Sequence, residues 1–227
     1  MEVRDIEATL EAAEGAVASR SPVGPTGFWK AVGAVKRDPE LVDRYADRIA
    51  RIDRAALKDW ALVTVPLWLG NVLVIGACLL GLVLVAWAYS LSDVSAALVF
   101  LFGFGVLLVT THGLAHLVVG GLLGMRFTHW FIGTISRPQP GVKVDYATYL
   151  RAPPASRAWM HASGAIFTKI VPFAMLGAAF AADLPVWAIV LLVVVGVAQI
   201  VIDIRWSTRA SDWKKFRREM AFDQSAS

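Results

Sequence analysis

Residues 93–126 read DVSAALVFLFGFGVLLVTTHGLAHLVVGGLLGMR. The only charges in this stretch are its end residues, Asp93 and Arg126. An uncharged apolar run longer than about 18 residues reads as a membrane-spanning helix. Three further runs meet the same test. No charge falls between Asp59 and Asp93, only Lys169 falls between Ala158 and Ala182, and none falls between Leu184 and Ile202. The hydrophobic fraction is 57%, above the roughly 45–50% of a soluble domain. The charges gather between the apolar blocks, as they must if a charge at the bilayer centre costs about 2.5–3.5 kcal/mol or more. The expected fold class is an all-α polytopic membrane protein with spans at about 61–88, 95–124, 158–182 and 184–204.

Around these spans the chain divides into an extension over 1–58, a four-span domain over 59–210 and a basic tail over 211–227. The extension reads as an amphipathic helix over 1–20, a Pro/Gly-rich break over 21–27 and a second polar helix from Phe28 to Trp60, interrupted before Pro39. The charges of the second helix alternate in sign from Asp43 to Arg54, which predicts a solvated helix near the membrane surface. The extension lacks the apolar core of a secretory signal, so insertion is expected to rely on the first span.

Lys and Arg set orientation. Of the 22 basic residues, 21 fall in the extension, in the loop from Arg126 to Arg157, or from Arg205 onward. These three segments, and both termini, are therefore expected on the cytosolic side, in the plasma membrane. This placement accounts for the +4 net charge without nucleic acid; the expected partner is the lipid bilayer. Lys214, Lys215, Arg217 and Arg218, with Trp213 and Phe216, fit an interfacial segment on anionic lipid. The lone Cys78 sits within a span and reads as a small packing residue.

Polar residues inside spans carry the functional signal. His112 and His116 stand at i, i+4, which puts both imidazoles on one helix face a turn apart. Such a pair holds zinc if a third ligand arrives; otherwise the rings bond neighbouring helices. Asp203, near the cytosolic end of the fourth span, is the expected third ligand, leaving a fourth position open. His161, at the start of the third span, is a possible general base, a fourth ligand or an interfacial histidine. Lys169 needs a carboxylate, Asp203 or Asp183, and Gln199 lies one turn before Asp203, where it can orient it. His129 reads as a loop residue.

The segment from His112 to Gly133, HGLAHLVVGGLLGMRFTHWFIG, resembles the zinc-binding span of the site-2 protease family of intramembrane metalloproteases. Leu123-Gly124, Phe127 and Gly133 fall where that family has a Leu-Gly and a Phe-x-x-Gly-type turn. Ser163 to Thr168 and Ile202-Asp203-Ile204 look like its later motifs, over roughly residues 95–210. The resemblance implies a zinc centre on His112, His116 and Asp203, a substrate-positioning residue at Thr168, and a β-like segment over Val142 to Tyr149 able to pair with an extended substrate, such as another protein's transmembrane segment. Three positions depart from it. Gly113 stands where the family has its catalytic Glu, Thr168 where it has Asn, and Ile204 where it has Gly. Glycine can neither accept nor deliver a proton, so the expectation is a non-proteolytic or atypical metalloprotein. The alternative is a non-enzymatic assembly factor or small transporter whose histidines serve helix packing.

Overall fold

A computed structural model describes residues 1–136, 138–205 and 211–224. Arg137 and Arg209, two of the basic residues assigned above to the cytosolic side, lie outside the described residues, as do 206–208, Ala210, 225–227 and the side chains of Ile204, Asp223 and Gln224. The elements are α1 (Val3–Ala18), α2 (Phe28–Val35), α3 (Pro39–Trp60), β1 (Val63–Pro66), α4 (Leu67–Ala88), α5 (Asp93–Leu122), β2 (Phe127–Ile132), β3 (Pro140–Val144), α6 (Tyr146–Arg151), α7 (Pro154–Ala181), α8 (Val186–Arg205) and α9 (Asp212–Gln224). They form two compact units.

The first unit comprises Met1–Leu67, Gly120–Arg157 and the end of α9 from Ala221. The Asp38 carboxylate caps α3 by accepting the Glu40 N–H at 2.9 Å, and Pro39 fills the first helical position. The apolar stripe of α3, including Val42, Tyr45, Ile49 and Leu57, is buried together with Ile6, Leu10 and Ala13 of α1 and Phe28 and Val35 of α2. Each large aliphatic side chain so buried contributes about 1.5–3 kcal/mol. Several charges of α3 pair within this unit while keeping part of their surface in solvent. Arg48 meets Glu14 at 2.7 Å, Asp47 meets Arg151 at 2.7 Å and Arg54 meets Asp145 at 2.8 Å. Asp53, only 4% exposed, accepts from Lys143 at 2.7 Å.

A three-stranded antiparallel sheet in the order β1-β2-β3 completes this unit. Val63 faces Ile132, and Trp130 faces Val142. Two sequence expectations change here. The first span does not begin at 61, because Val63–Pro66 forms β1 and α4 begins only at Leu67; an apolar run alone does not separate a strand from a helix start. The expected β-like segment over 142–149 stops at Val144. Asp145 then caps α6 by accepting the Thr148 N–H at 3.3 Å, a short-range bond that turns the chain into a helix.

The second unit comprises Trp68–Val119 and Ala158–Met220. Helices α4, α5, α7 and α8 are long and apolar enough to cross a membrane, which suggests an integral membrane protein. Val85, Phe100, Phe104, Leu107, Leu184 and Leu192 belong to its buried core, while Leu73, Val83, Phe102 and Val190 face outward. Small residues bring α4 and α5 close: a Cβ on Gly103 would lie 2.8 Å from the Gly81 carbonyl oxygen. Gly124, at φ 84°, ends α5 in the left-handed region, and Met125 N–H returns to the Gly120 carbonyl at 2.9 Å.

Candidate metal centre

The i, i+4 spacing of His112 and His116 on α5 brings their Nε2 atoms to 3.2 Å, with the rings perpendicular and 4.7 Å between centroids. The carboxylate beside them is that of Asp212, at the start of α9. Its Oδ2 lies 3.2 Å from His116 Nε2 and 3.3 Å from His112 Nε2. These three atoms form a nearly equilateral triangle. They are also the group among the described residues whose donor atoms lie close enough together to share a cation.

The triangle matches a metal's requirements in two ways. A tetrahedral ion with bonds of about 2.0–2.1 Å holds its ligand atoms about 3.3–3.4 Å apart, close to the observed edges. The second match is chemical. His116 Nδ1 lies 2.7 Å from the Met160 carbonyl oxygen on α7. A carbonyl only accepts, so Nδ1 carries the proton and a neutral His116 presents a lone pair at Nε2. Lone pairs then converge on the middle of the triangle. Without an ion, a neutral His112 protonated at Nε2 can donate to only one of the two facing acceptors, His116 Nε2 or Asp212 Oδ2. One cation satisfies all three donors. His112 Nδ1 is buried with no partner among the described residues.

Three neighbours shape the site. Lys215 Nζ donates to the other oxygen of Asp212, Oδ1, at 3.0 Å, which leaves Oδ2 to face the histidines. Burial acts to raise the Asp212 carboxyl, but the adjoining His112 and His116 rings and the nearby Lys215 ammonium hold it below the usual carboxylate range. Gly164 of α7 lets that helix approach: a Cβ there would lie 2.3 Å from His116 Nε2 and 2.8 Å from His112 Cε1. Trp159 of α7 meets Phe216 of α9 edge-on at 5.6 Å, and Phe216 stacks on Trp213 at 5.1 Å.

The other sequence candidates are placed as follows. Asp203 pairs with Lys169, which also donates to the Ala165 carbonyl at 2.9 Å. The structure thus gives Lys169 the first of its two expected partners and puts Asp212, rather than Asp203, beside the histidine pair. Gln199 lies one turn before Asp203 on α8, and the bond Asp203 makes is to Lys169. The Thr168 hydroxyl donates back into its own helix, to the Gly164 and Ala165 carbonyls at 3.1 and 3.0 Å. His161 interacts electrostatically with Lys215, Asp212, His116 and Glu219, so it belongs to the neighbourhood without joining the triangle. His129 lies on β2, its Nδ1 buried with no partner among the described residues, and burial with Lys58 and Arg54 pushes its pKa down. Asp212 escaped the sequence reading because it precedes a run of basic residues. Its signal was its position as the acidic residue opening that amphipathic segment.

No family model, curated protein or solved structure matches the chain.

Proposed function

We propose that this chain is an integral membrane metalloprotein that holds one zinc ion on His112, His116 and Asp212, and that it is a divergent, non-proteolytic or atypical relative of the site-2 proteases. The observation that carries this reading is the triangle of donor atoms with edges of 3.2–3.3 Å. The set of two imidazoles and one carboxylate suits zinc, and it also suits iron or manganese. When bound, such an ion supplies a Lewis acid with an open coordination position.

The chain's own residues do the remaining work. The Met160 carbonyl fixes the His116 tautomer, Lys215 turns the Asp212 carboxylate toward the rings, and Gly164 leaves room at the donor atoms. Gly113 gives the site no carboxylate beside His112, which is why ordinary peptide hydrolysis is not assigned. His161 is the further imidazole whose charge environment includes Asp212, His116 and Lys215. The distribution of 21 of 22 basic residues supports cytosolic termini in the cell membrane. A transmembrane segment of another protein is the partner class that the family likeness favours.

Metal analysis of the purified chain tests the reading. Wild type should carry about one ion per chain. His112→Ala, His116→Ala and Asp212→Ala should each lose it, and Asp203→Asn should keep it. Absence of metal from wild type loaded with zinc would overturn the proposal and return the histidines to helix packing. Gly113→Glu then asks whether the rest of a peptidase site is present, through gain of cleavage of a transmembrane peptide.

A further inference from the structure

Resting on the metal centre proposed above, we infer that α9 is a metal-dependent latch: the ion holds the C-terminal helix against α5, and removal of the ion releases it. Two of the three donors belong to one turn of α5, while the third, Asp212, is the first residue of α9. One apolar contact of α9 with α7 is the Trp159–Phe216 edge pair, of the kind worth about 0.5–1.5 kcal/mol beyond its area. Glu219 is fully buried, so α9 also places a carboxylate out of water when docked.

The sign of the coupling follows from the donor atoms. Without a cation, Asp212 Oδ2 stands 3.2 and 3.3 Å from two imidazole nitrogens, one of which presents a lone pair once Nδ1 donates to Met160. With a cation, the same three atoms attract one centre. A ligand shifts a conformational equilibrium only by its difference in affinity for the two states. The docked state offers three protein donors and the released state two, so the ion favours docking. By reciprocity α9 raises the affinity of the histidine pair for the ion. Lys214, Arg217 and Arg218 are exposed on α9, which leaves a basic face outside the latch on which an opposing pull can act.

Trypsin reads this directly, because α9 carries cleavage sites at Lys214, Lys215, Arg217 and Arg218. The full chain in lipid nanodiscs is digested zinc-loaded and chelator-stripped, fragments are timed by mass spectrometry, and zinc content is measured on the same samples. Cleavage within α9 is expected to be about tenfold faster or more after stripping, to slow again when zinc is restored, and to be fast in both conditions for Asp212→Asn. Cleavage at the exposed Lys30 and Arg37 should not respond to zinc. His116→Ala, which leaves α9 unaltered, should match the stripped wild type and gives the same test if Asp212→Asn folds poorly. Stoichiometric zinc with equal cleavage rates in both states overturns the latch and spares the metal centre. Failure to bind zinc overturns the centre, and the latch with it.

Discussion

Gly164→Ala tests the metal centre with a single methyl group. The added Cβ would stand 2.3 Å from His116 Nε2, 2.6 Å from His116 Cε1 and 2.8 Å from His112 Cε1. Ordinary contact lies near 3.5 Å, so the His116 ring must retreat by about 1 Å or more. The ring can move, but movement strains its 2.7 Å bond to the Met160 carbonyl and pulls Nε2 from the triangle. Coordination tolerates only about 0.2 Å of displacement. Loss of a partner that merely orients a ligand weakens metal binding about 10–100-fold. Displacing the donor atom itself should cost about 100-fold or more, or about 2.7 kcal/mol. Overpacking adds about 1–3 kcal/mol of destabilisation. The assay is competition with a calibrated chelator, alongside thermal unfolding followed by circular dichroism. Gly177→Ala is the control, since it lies on the same helix and its Cβ would meet nothing within 4 Å. Wild-type zinc affinity in folded Gly164→Ala protein would refute the placement of the site against α7.

Asp203→Asn should keep full metal content yet lower the unfolding temperature in detergent, because it leaves Lys169 without its carboxylate. The loss should be about 1–3 kcal/mol, below the full cost for a buried pair because both side chains keep partial exposure. Lys169→Met combined with Asp203→Leu should recover most of it. Lys143→Met should destabilise the first unit by about 3–5 kcal/mol by leaving Asp53 uncompensated. Burial already raises the Asp53 carboxyl while Lys143 opposes that rise. The folded state therefore keeps the proton to higher pH than the unfolded chain does, and this group's stability is lost as pH rises through its folded value. The variant's deficit should grow from pH 5 to pH 8 in urea titrations, and a deficit that shrinks instead would contradict the sign. Lys215→Met should weaken zinc binding about tenfold by freeing the Asp212 carboxylate to rotate, measured by the same chelator competition.

The spans were legible because charge is excluded from long stretches, and α5 departs from its expected 95–124 by two residues at each end. The histidine pair was legible because i, i+4 spacing is local geometry. What the sequence concealed depends on long-range pairing. β1 looks like the start of a span until β2 pairs with it from Phe127 onward. Most of the alternating charges of α3 stay exposed as expected, while Asp53 is buried against Lys143, a partner its spacing on the helix does not reveal. Asp203 and Asp212 are both acidic residues beyond the last apolar run, and spacing alone does not choose between them. Lys169 makes the choice, because a lysine within an apolar helix claims the carboxylate opposite it.

The third donor stands 96 positions after His116. A ribosome adding about 5–20 residues per second needs roughly 5–20 s to cover that distance. For that interval α5 carries two imidazoles of the proposed centre and lacks its carboxylate. Under the proposed reading, the complete donor set exists only after all four apolar helices have been made, so the order of synthesis would delay loading until the end of the chain.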